Sequence, residues 1–318
     1  MTVMKEDKKK IAIVGCGLIG ASLAVLFTGN SFPVTILGRS DDSLNRGLAL
    51  YRGFFQGMVD AGVLQEKNIW PCEALLTRTA SYDKLADADL VIEAVVENLA
   101  VKHDVYQKIE RVCRPDAVIA SVSSAITADD LSSGMQHPER LLVAHPWNPP
   151  HLVPCVEIAR GQKTSDASVQ AAVDIFGQAG REVVVLHKSV PGFIGNRLMH
   201  AMFREATYMV EAGIATPEDI DRVLMTSFGP RYSSIGIFEH NDFVGLDMVD
   251  SISTYLYPSL CDSKAPMPKL RALDAQGKIG YKSGTGYLDW RKKDMTDFRE
   301  RQSRPYLGSL HWDLPGSK

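Results

Sequence analysis

Short apolar runs bounded by turn residues recur through the first 190 residues, and stretches with helical spacing separate them. The runs predict strands at 11–15, 34–37, 90–94, 117–121, 141–145, 153–158 and 182–186. The helical stretches lie at 18–28, 43–61, 99–112 and 168–178. Strands alternating with helices predict a parallel, doubly wound sheet. Only seven residues separate 141–145 from 153–158, too few for a crossover helix. These two strands are therefore expected to form an antiparallel hairpin at one edge. After Val190-Pro191-Gly192 the pattern becomes helical. A long amphipathic stretch covers 196–212, and Thr216-Pro217-Glu218-Asp219 reads as a helix start, with a capping hydroxyl, proline at the first position and acids in the first turn. The expected fold is α/β: an N-terminal Rossmann-type doubly wound domain over 1–190 and a smaller all-α domain over 191–318. The charged tail after Trp290 is expected to be peripheral.

Composition narrows the classes without naming a chemistry. The 318 residues are 45% hydrophobic and 23% charged, a globular balance. The net charge of −3 is spread along the chain, with no basic stripe for nucleic acid. The five cysteines (Cys16, Cys72, Cys113, Cys155 and Cys261) are scattered, so neither a zinc site nor a disulfide framework is expected, and no metal is. Lys8-Lys9-Lys10 ahead of an apolar run superficially resembles a signal peptide, but glycines 15, 17 and 20 interrupt that run. A buried strand followed by a buried helix explains it better. No segment reaches the ~18 unbroken apolar residues of a membrane span, and a cytoplasmic protein is expected.

Gly15-Cys16-Gly17-Leu18-Ile19-Gly20 follows the first strand and opens the first helix. The first glycine permits the tight turn, the second lets a pyrophosphate approach the backbone, and the third allows close helix–strand packing. The helix N-terminus then offers unpaired N–H groups and a favourable dipole to the phosphates. After the second strand, where an acid usually accepts from the ribose hydroxyls of NAD, the chain has Gly38-Arg39-Ser40. Room for a 2′-phosphate beside Arg39 and Ser40 points to NADP over NAD. The alternative is that Arg39 is a solvated loop residue and that Asp41 or Asp42 serves the ribose of NAD.

Further polar residues fall where an α/β sheet binds ligands, beyond the carboxyl ends of its strands. Ser123-Ser124 ends one strand and His145-Pro146-Trp147-Asn148-Pro149 ends another; Glu157 lies in the next, and Asn196 opens the long helix. His145 and Glu157 are twelve residues apart across the expected hairpin, so the carboxylate can return beside the ring. A carboxylate on one ring nitrogen fixes the tautomer and leaves the other nitrogen for proton transfer. The plainer alternative is a core histidine with its hydrogen bonds satisfied.

These segments resemble the 3-hydroxyacyl-CoA dehydrogenase superfamily, and within it the λ-crystallin/L-gulonate 3-dehydrogenase branch and the carnitine dehydrogenases. The marks run from Gly15 to about Trp290: Glu93-Ala94-Val95-Val96-Glu97-Asn98 with Lys102, Ser123-Ser124, His145-Pro146-Trp147-Asn148-Pro149, Val156-Glu157, Pro191-Gly192-Phe193-Ile194-Gly195-Asn196-Arg197 and Phe238-Glu239-His240. The resemblance implies His145 as general base with Glu157 as its partner. It implies Ser124 and Asn196 on the substrate oxygen or the nicotinamide, with Asn148 beside the substrate. Glu97 and Lys102 would lie toward the nicotinamide end. Ser123 competes with Ser124 for the serine role, and the distance back from His145 favours Ser124. The family's helical domain also implies a homodimer.

The substrate class is divided. Phe228-Gly229-Pro230-Arg231-Tyr232 looks like the branch handling free hydroxy acids, and Arg231 can hold a carboxylate bidentately; otherwise it is a surface or dimer-interface residue. Residues 277–287 instead resemble the C-terminal segment of the acyl-CoA enzymes. A small, free 3-hydroxy acid is the favoured substrate and a short-chain 3-hydroxyacyl-CoA the alternative. λ-Crystallin relatives can also be structural proteins that bind cofactor without turnover, although the complete Ser124, His145, Glu157 and Asn196 set argues for retained chemistry.

Overall fold

A computed structural model describes residues 8–308, 310 and 312–316. The chain divides into two compact units, Met1–Ile194 with Tyr306–Lys318, and Gly195–Pro305.

The first unit is built on eight strands: β1 (Ile11–Val14), β2 (Val34–Leu37), β3 (Leu76–Thr79), β4 (Leu90–Glu93), β5 (Val118–Ser121), β6 (Leu141–Pro146), β7 (Cys155–Arg160) and β8 (Glu182–Leu186). Their order is β3-β2-β1-β4-β5-β6-β7-β8. All neighbours are parallel except β6 and β7. The chain reverses its direction of winding between β1 and β4, which opens a crevice beyond their carboxyl ends. Six helices accompany the sheet: α1 (Leu18–Thr28), α2 (Asp41–Asp60), α3 (Ile69–Glu73), α4 (Leu99–Val112), α5 (Ala128–Ser132) and α6 (Asp166–Gln178).

The inner strands are apolar runs because helices cover both faces of a parallel sheet. Every residue of β1 is buried, and so is every residue of α1 from Gly20 to Thr28. From Gly20 on, helix α1 is thus buried all round, the mark of a helix enclosed by its own domain. Full burial of a Leu, Val or Phe side chain stabilises by about 1.5–3 kcal/mol. Phe27 adds ring contacts with Phe32 and Phe176, at centroid distances of 5.5 Å each.

Three features depart from the expectations. The antiparallel β6–β7 pair is not at the sheet edge, because β8 adds parallel to β7 and takes that place. Strand β3 was not expected: Leu76–Thr79 is a half-exposed edge strand with no apolar run. The tail is not peripheral, since Leu310, Trp312 and Leu314 pack on the first unit's core. Asp313 N–H donates to Asn30 Oδ1 at 3.1 Å, and the Trp312 ring takes the space a Cβ on Gly29 would need.

The second unit comprises α7 (Gly195–Glu211), α8 (Pro217–Thr226), α9 (Ile237–Val244), α10 (Leu246–Leu256), α11 (Pro268–Ala275) and most of α12 (Met295–Leu307). Thr216 caps α8 by accepting from Asp219 N–H, with Pro217 at the first position, as the residue order predicts. Among its described residues only Thr207 and Met267 are buried. No helix among the described residues is long and apolar enough to cross a membrane.

Candidate functional site

The glycine-rich turn joins β1 to α1. Gly15 has φ +114°, and a Cβ there would lie 2.4 Å from the Ala94 carbonyl oxygen. A Cβ on Gly20 would lie 1.9 Å from the Gly15 carbonyl oxygen. Protein contacts therefore demand both glycines. Gly17 differs, because a Cβ there would meet nothing within 4 Å. The room beside Gly17 is open at the helix start, where Gly17 is the extended N-cap and no side chain caps the first N–H groups. A small turn with free donors and an unfilled cradle suits a pyrophosphate. Leu18 is half exposed at the same turn, and Ile19 packs partly on the core.

At the end of β2, Arg39 is exposed. Ser40 is exposed too, but its hydroxyl is engaged locally. It caps α2 by accepting from Ser43 N–H at 3.3 Å, and Ser43 Oγ accepts from Ser40 N–H at 3.1 Å. Asp41 and Asp42 stand in the first turn of α2, where acids are favoured by the dipole.

The last residue of β4 had no role assigned from the sequence. Glu93 is fully buried, and its carboxylate collects Lys102 Nζ at 2.8 and 3.0 Å, the Tyr106 hydroxyl at 2.7 Å, Ser121 Oγ at 2.7 Å and Val95 N–H at 2.9 Å. The available signal was an acid closing an otherwise apolar buried strand. Lys102, from α4, is likewise fully buried and also reaches Glu97 Oε2 at 3.1 Å. Lys102, expected near the nicotinamide end of the cofactor, has its ammonium enclosed and bonded to both carboxylates. Glu97 is the partly exposed member. Partial burial alone would raise its carboxyl, but the Ser123 hydroxyl and Lys102 hold it below the usual range. Ser123 donates to Glu97 and accepts from Ile126 N–H at 2.9 Å.

His145 and Glu157 are directly opposed in the β6–β7 register. The ring is 6% exposed and Glu157 2%. His145 Nδ1 lies 3.3 Å from Glu157 Oε2, and Nε2 lies 3.1 Å from Ser124 Oγ. A carboxylate accepting at Nδ1 puts the ring proton there, which leaves the Nε2 lone pair facing the exposed serine. Ser124 is thus the residue on the histidine, whereas Ser123 is occupied by Glu97. Glu157 is held from two more sides, by Trp147 Nε1 at 3.3 Å and by Ile194 N–H at 2.8 Å on its other oxygen. Phe193 covers the His145 ring at 5.2 Å. It does so with a left-handed backbone, φ 51°, a conformation costing roughly 1–2 kcal/mol for such a residue. The strain is held by burial of the Phe193 ring and by the Ile194 bond to Glu157. Asn148 is exposed just beyond Trp147, in a cis bond to Pro149.

In the second unit, Asn196 is half-buried at the second position of α7. Arg231 is exposed, and its Nη1 donates to His240 Nε2 at 2.7 Å. In the sequence His240 stands only within a motif; in the fold it braces Arg231.

A dinucleotide cradle at the β1 end and a buttressed histidine at the β6 end, on the same edge of one sheet, define a nicotinamide-dependent oxidoreductase. The chain belongs to the 3-hydroxyacyl-CoA dehydrogenase family: residues 10–190 match its NAD-binding domain and 192–290 its C-terminal domain. It is 32% identical over 300 residues to 5-formyl-3-hydroxy-2-methylpyridine 4-carboxylate 5-dehydrogenase of Mesorhizobium japonicum, covering 93% of this chain and 95% of that one. It is 32% identical over 284 residues to 3-hydroxybutyryl-CoA dehydrogenase of Bradyrhizobium diazoefficiens, covering 89% and 96%. An L-carnitine dehydrogenase of Mesorhizobium japonicum is 32% identical over 234 residues, covering 72% and 63%. A crystal structure of a 5-formyl-3-hydroxy-2-methylpyridine 4-carboxylic acid 5-dehydrogenase, described as an NAD+ dependent dismutase, superposes with a TM-score of 0.85 at 28% identity, covering 95% and 97%. The chain is therefore a dehydrogenase with a nicotinamide cofactor, and the purely structural alternative is set aside.

Proposed function

We propose that this enzyme oxidises the 3-hydroxy group of a small, free hydroxy acid to the ketone, with His145 as general base. The observation that carries this is the chain of contacts from Glu157 through His145 to Ser124. His145 Nε2 takes the hydroxyl proton, directly or with Ser124 Oγ–H holding the substrate oxygen in line. Glu157 accepts from Nδ1–H and stabilises the imidazolium as charge develops. Trp147 and Ile194 keep that carboxylate from turning away. The bound nicotinamide supplies the hydride chemistry. Asn196 and Asn148 are further donors for the substrate oxygen, and Arg231, braced by His240, takes the carboxylate.

A free acid is favoured because Arg231 stands where the acyl-CoA enzymes look different, and because relatives named for carnitine and a pyridine carboxylate match this chain. The thioester reading retains the likeness of 277–287 and the 3-hydroxybutyryl-CoA dehydrogenase match. Turnover of 3-hydroxybutyryl-CoA against a panel of free 3-hydroxy acids tests the choice. A strong preference for the thioester overturns it.

Three finer assignments belong to the same proposal. The cofactor is NADP, with Arg39 on the 2′-phosphate and Glu97 toward the nicotinamide end. The protein is a homodimer through its second unit. That unit exposes Phe238, Phe243 and Tyr255 by 83%, 89% and 89% and buries almost nothing of its own, and a surface of this kind calls for a second copy. The compartment is the cytoplasm, since all five cysteines are free, which suits a reducing environment.

A further inference from the structure

We infer that Glu93, with its buried partner Lys102, is a positioning residue that sets the catalytic serine and the dinucleotide turn from one point. This rests on the proposed roles of Ser124 and His145. The geometry runs in two directions from the Glu93 carboxylate. Toward the serine, Glu93 Oε2 accepts from Ser121 Oγ at 2.7 Å, and the Glu93 carbonyl accepts from Val122 N–H at 3.0 Å. Ser121 Oγ in turn accepts from Ser123 N–H at 3.3 Å. Lys102 carries the same anchor to Glu97, which accepts from Ser123 Oγ. Ser123 Oγ also accepts from the backbone N–H groups of Ala125 and Ile126 at 3.3 and 2.9 Å. Ser124 is therefore bracketed: the residue before it and the residues after it are all tied to Glu93 or Glu97. Its own hydroxyl is left for His145 Nε2.

Toward the cofactor, Glu93 Oε1 accepts from Val95 N–H at 2.9 Å and so closes the turn beyond β4. Ala94 lies inside that turn. Its N–H donates to the Val14 carbonyl at 2.8 Å, and its own carbonyl is the atom a Gly15 Cβ would strike. A buried carboxylate so fully bonded has one well-defined orientation, because losing any donor leaves an unmet charge. It thus transmits a fixed geometry to both ends. The Tyr106 hydroxyl, also fully buried, completes the set from α4.

The test is a double-mutant cycle read in pre-steady-state hydride transfer and in NADPH affinity. Glu93→Gln keeps the side chain's size and removes its charge. We expect hydride transfer to fall about 10²-fold, the loss a misplaced reacting group produces, with a smaller rise in the NADPH Kd. In a Ser124→Ala background the same substitution is expected to cost little more, because its effect passes through Ser124. Ser123→Ala, a minimal change that removes the link to Glu97 together with the acceptor for the Ala125 and Ile126 N–H groups, is expected to lower the rate more than it alters the NADPH Kd, and it serves if Glu93→Gln does not fold. Full additivity of the Glu93 and Ser124 losses overturns the inference, as does a wild-type rate in folded Glu93→Gln or in Ser123→Ala. If Ser124→Ala and His145→Gln themselves turn over normally, the underlying assignment of the site fails instead.

Discussion

His145 and Glu157 face each other as a register pair of the antiparallel strands β6 and β7, with Nδ1 3.3 Å from Oε2. A side-by-side pair on two hydrogen-bonded strands has little freedom to drift, so the histidine's tautomer is set by the sheet itself. Glu157→Gln preserves an acceptor for the Ile194 N–H but removes the charge proposed to stabilise the imidazolium. Turnover is expected to drop roughly 10²-fold, with the cofactor Kd unchanged. Equal loss of cofactor binding would show a collapsed site instead.

Gly15 and Gly17 separate folding from binding. Gly17→Ala meets no protein atom and keeps an ordinary φ of −74°, so stability is expected to change by less than about 1 kcal/mol. The methyl fills the open cradle, and the NADPH Kd is expected to rise at least tenfold in a fluorescence titration. Gly15→Ala strikes the Ala94 carbonyl at positive φ and is expected to unfold at markedly lower denaturant. Normal cofactor binding by Gly17→Ala would place the pyrophosphate elsewhere.

Arg39 is the residue proposed to discriminate between the two nicotinamide cofactors. Wild-type kcat/KM is expected to be higher with NADP, and Arg39→Asp is expected to lower it about tenfold for NADP while sparing NAD, the loss of one charge-assisted bond. Equal initial rates with both cofactors at micromolar concentration would return the ribose to Asp41 or Asp42.

His151 makes stability depend on pH. It is 4% exposed, its Nδ1 lies 2.7 Å from Ser22 Oγ, and its ring lies tilted against Phe54 at 4.6 Å. Burial, helped by the Arg181 charge, pushes the imidazole down to about 4 from its ordinary 6.5. The unfolded chain then takes up a proton that the folded chain refuses. The folded state is favoured in full above pH 6.5 and loses ground as pH falls toward 4, by about 3 kcal/mol in all. His151→Phe is expected to flatten that slope in urea melts between pH 4 and 7. An unchanged slope would assign it to other groups.

The second unit's exposed apolar surface predicts a mass twice that of the chain in sedimentation equilibrium. Phe243→Asp, at an 89% exposed position, is expected to shift the equilibrium toward the monomer. A wild-type monomer at micromolar concentration would contradict the dimer.

The strands of the sheet centre were legible because each is a bare apolar run with a glycine or polar stop, as with Ile11–Val14 before Gly15. The His145–Glu157 pairing was legible because seven residues between two strands leave only a hairpin. Strand β3 was not, because an edge strand such as Leu76-Thr77-Arg78-Thr79 buries too little to need a pattern. The tail was missed for a related reason. Leu310, Trp312 and Leu314 are isolated among polar residues, and only the first unit's core shows what they pack on. Glu93 and Lys102 carried a motif but no assigned partnership, since a charge pair nine positions apart acquires its meaning from α4 packing over β4.

The measurement that bears most directly on the central assignment is single-turnover hydride transfer by His145→Gln, followed at the nicotinamide absorbance with a turned-over 3-hydroxy acid. The base role predicts a loss of about 10²–10⁴-fold with cofactor affinity unchanged. A rate near that of the wild type would contradict it.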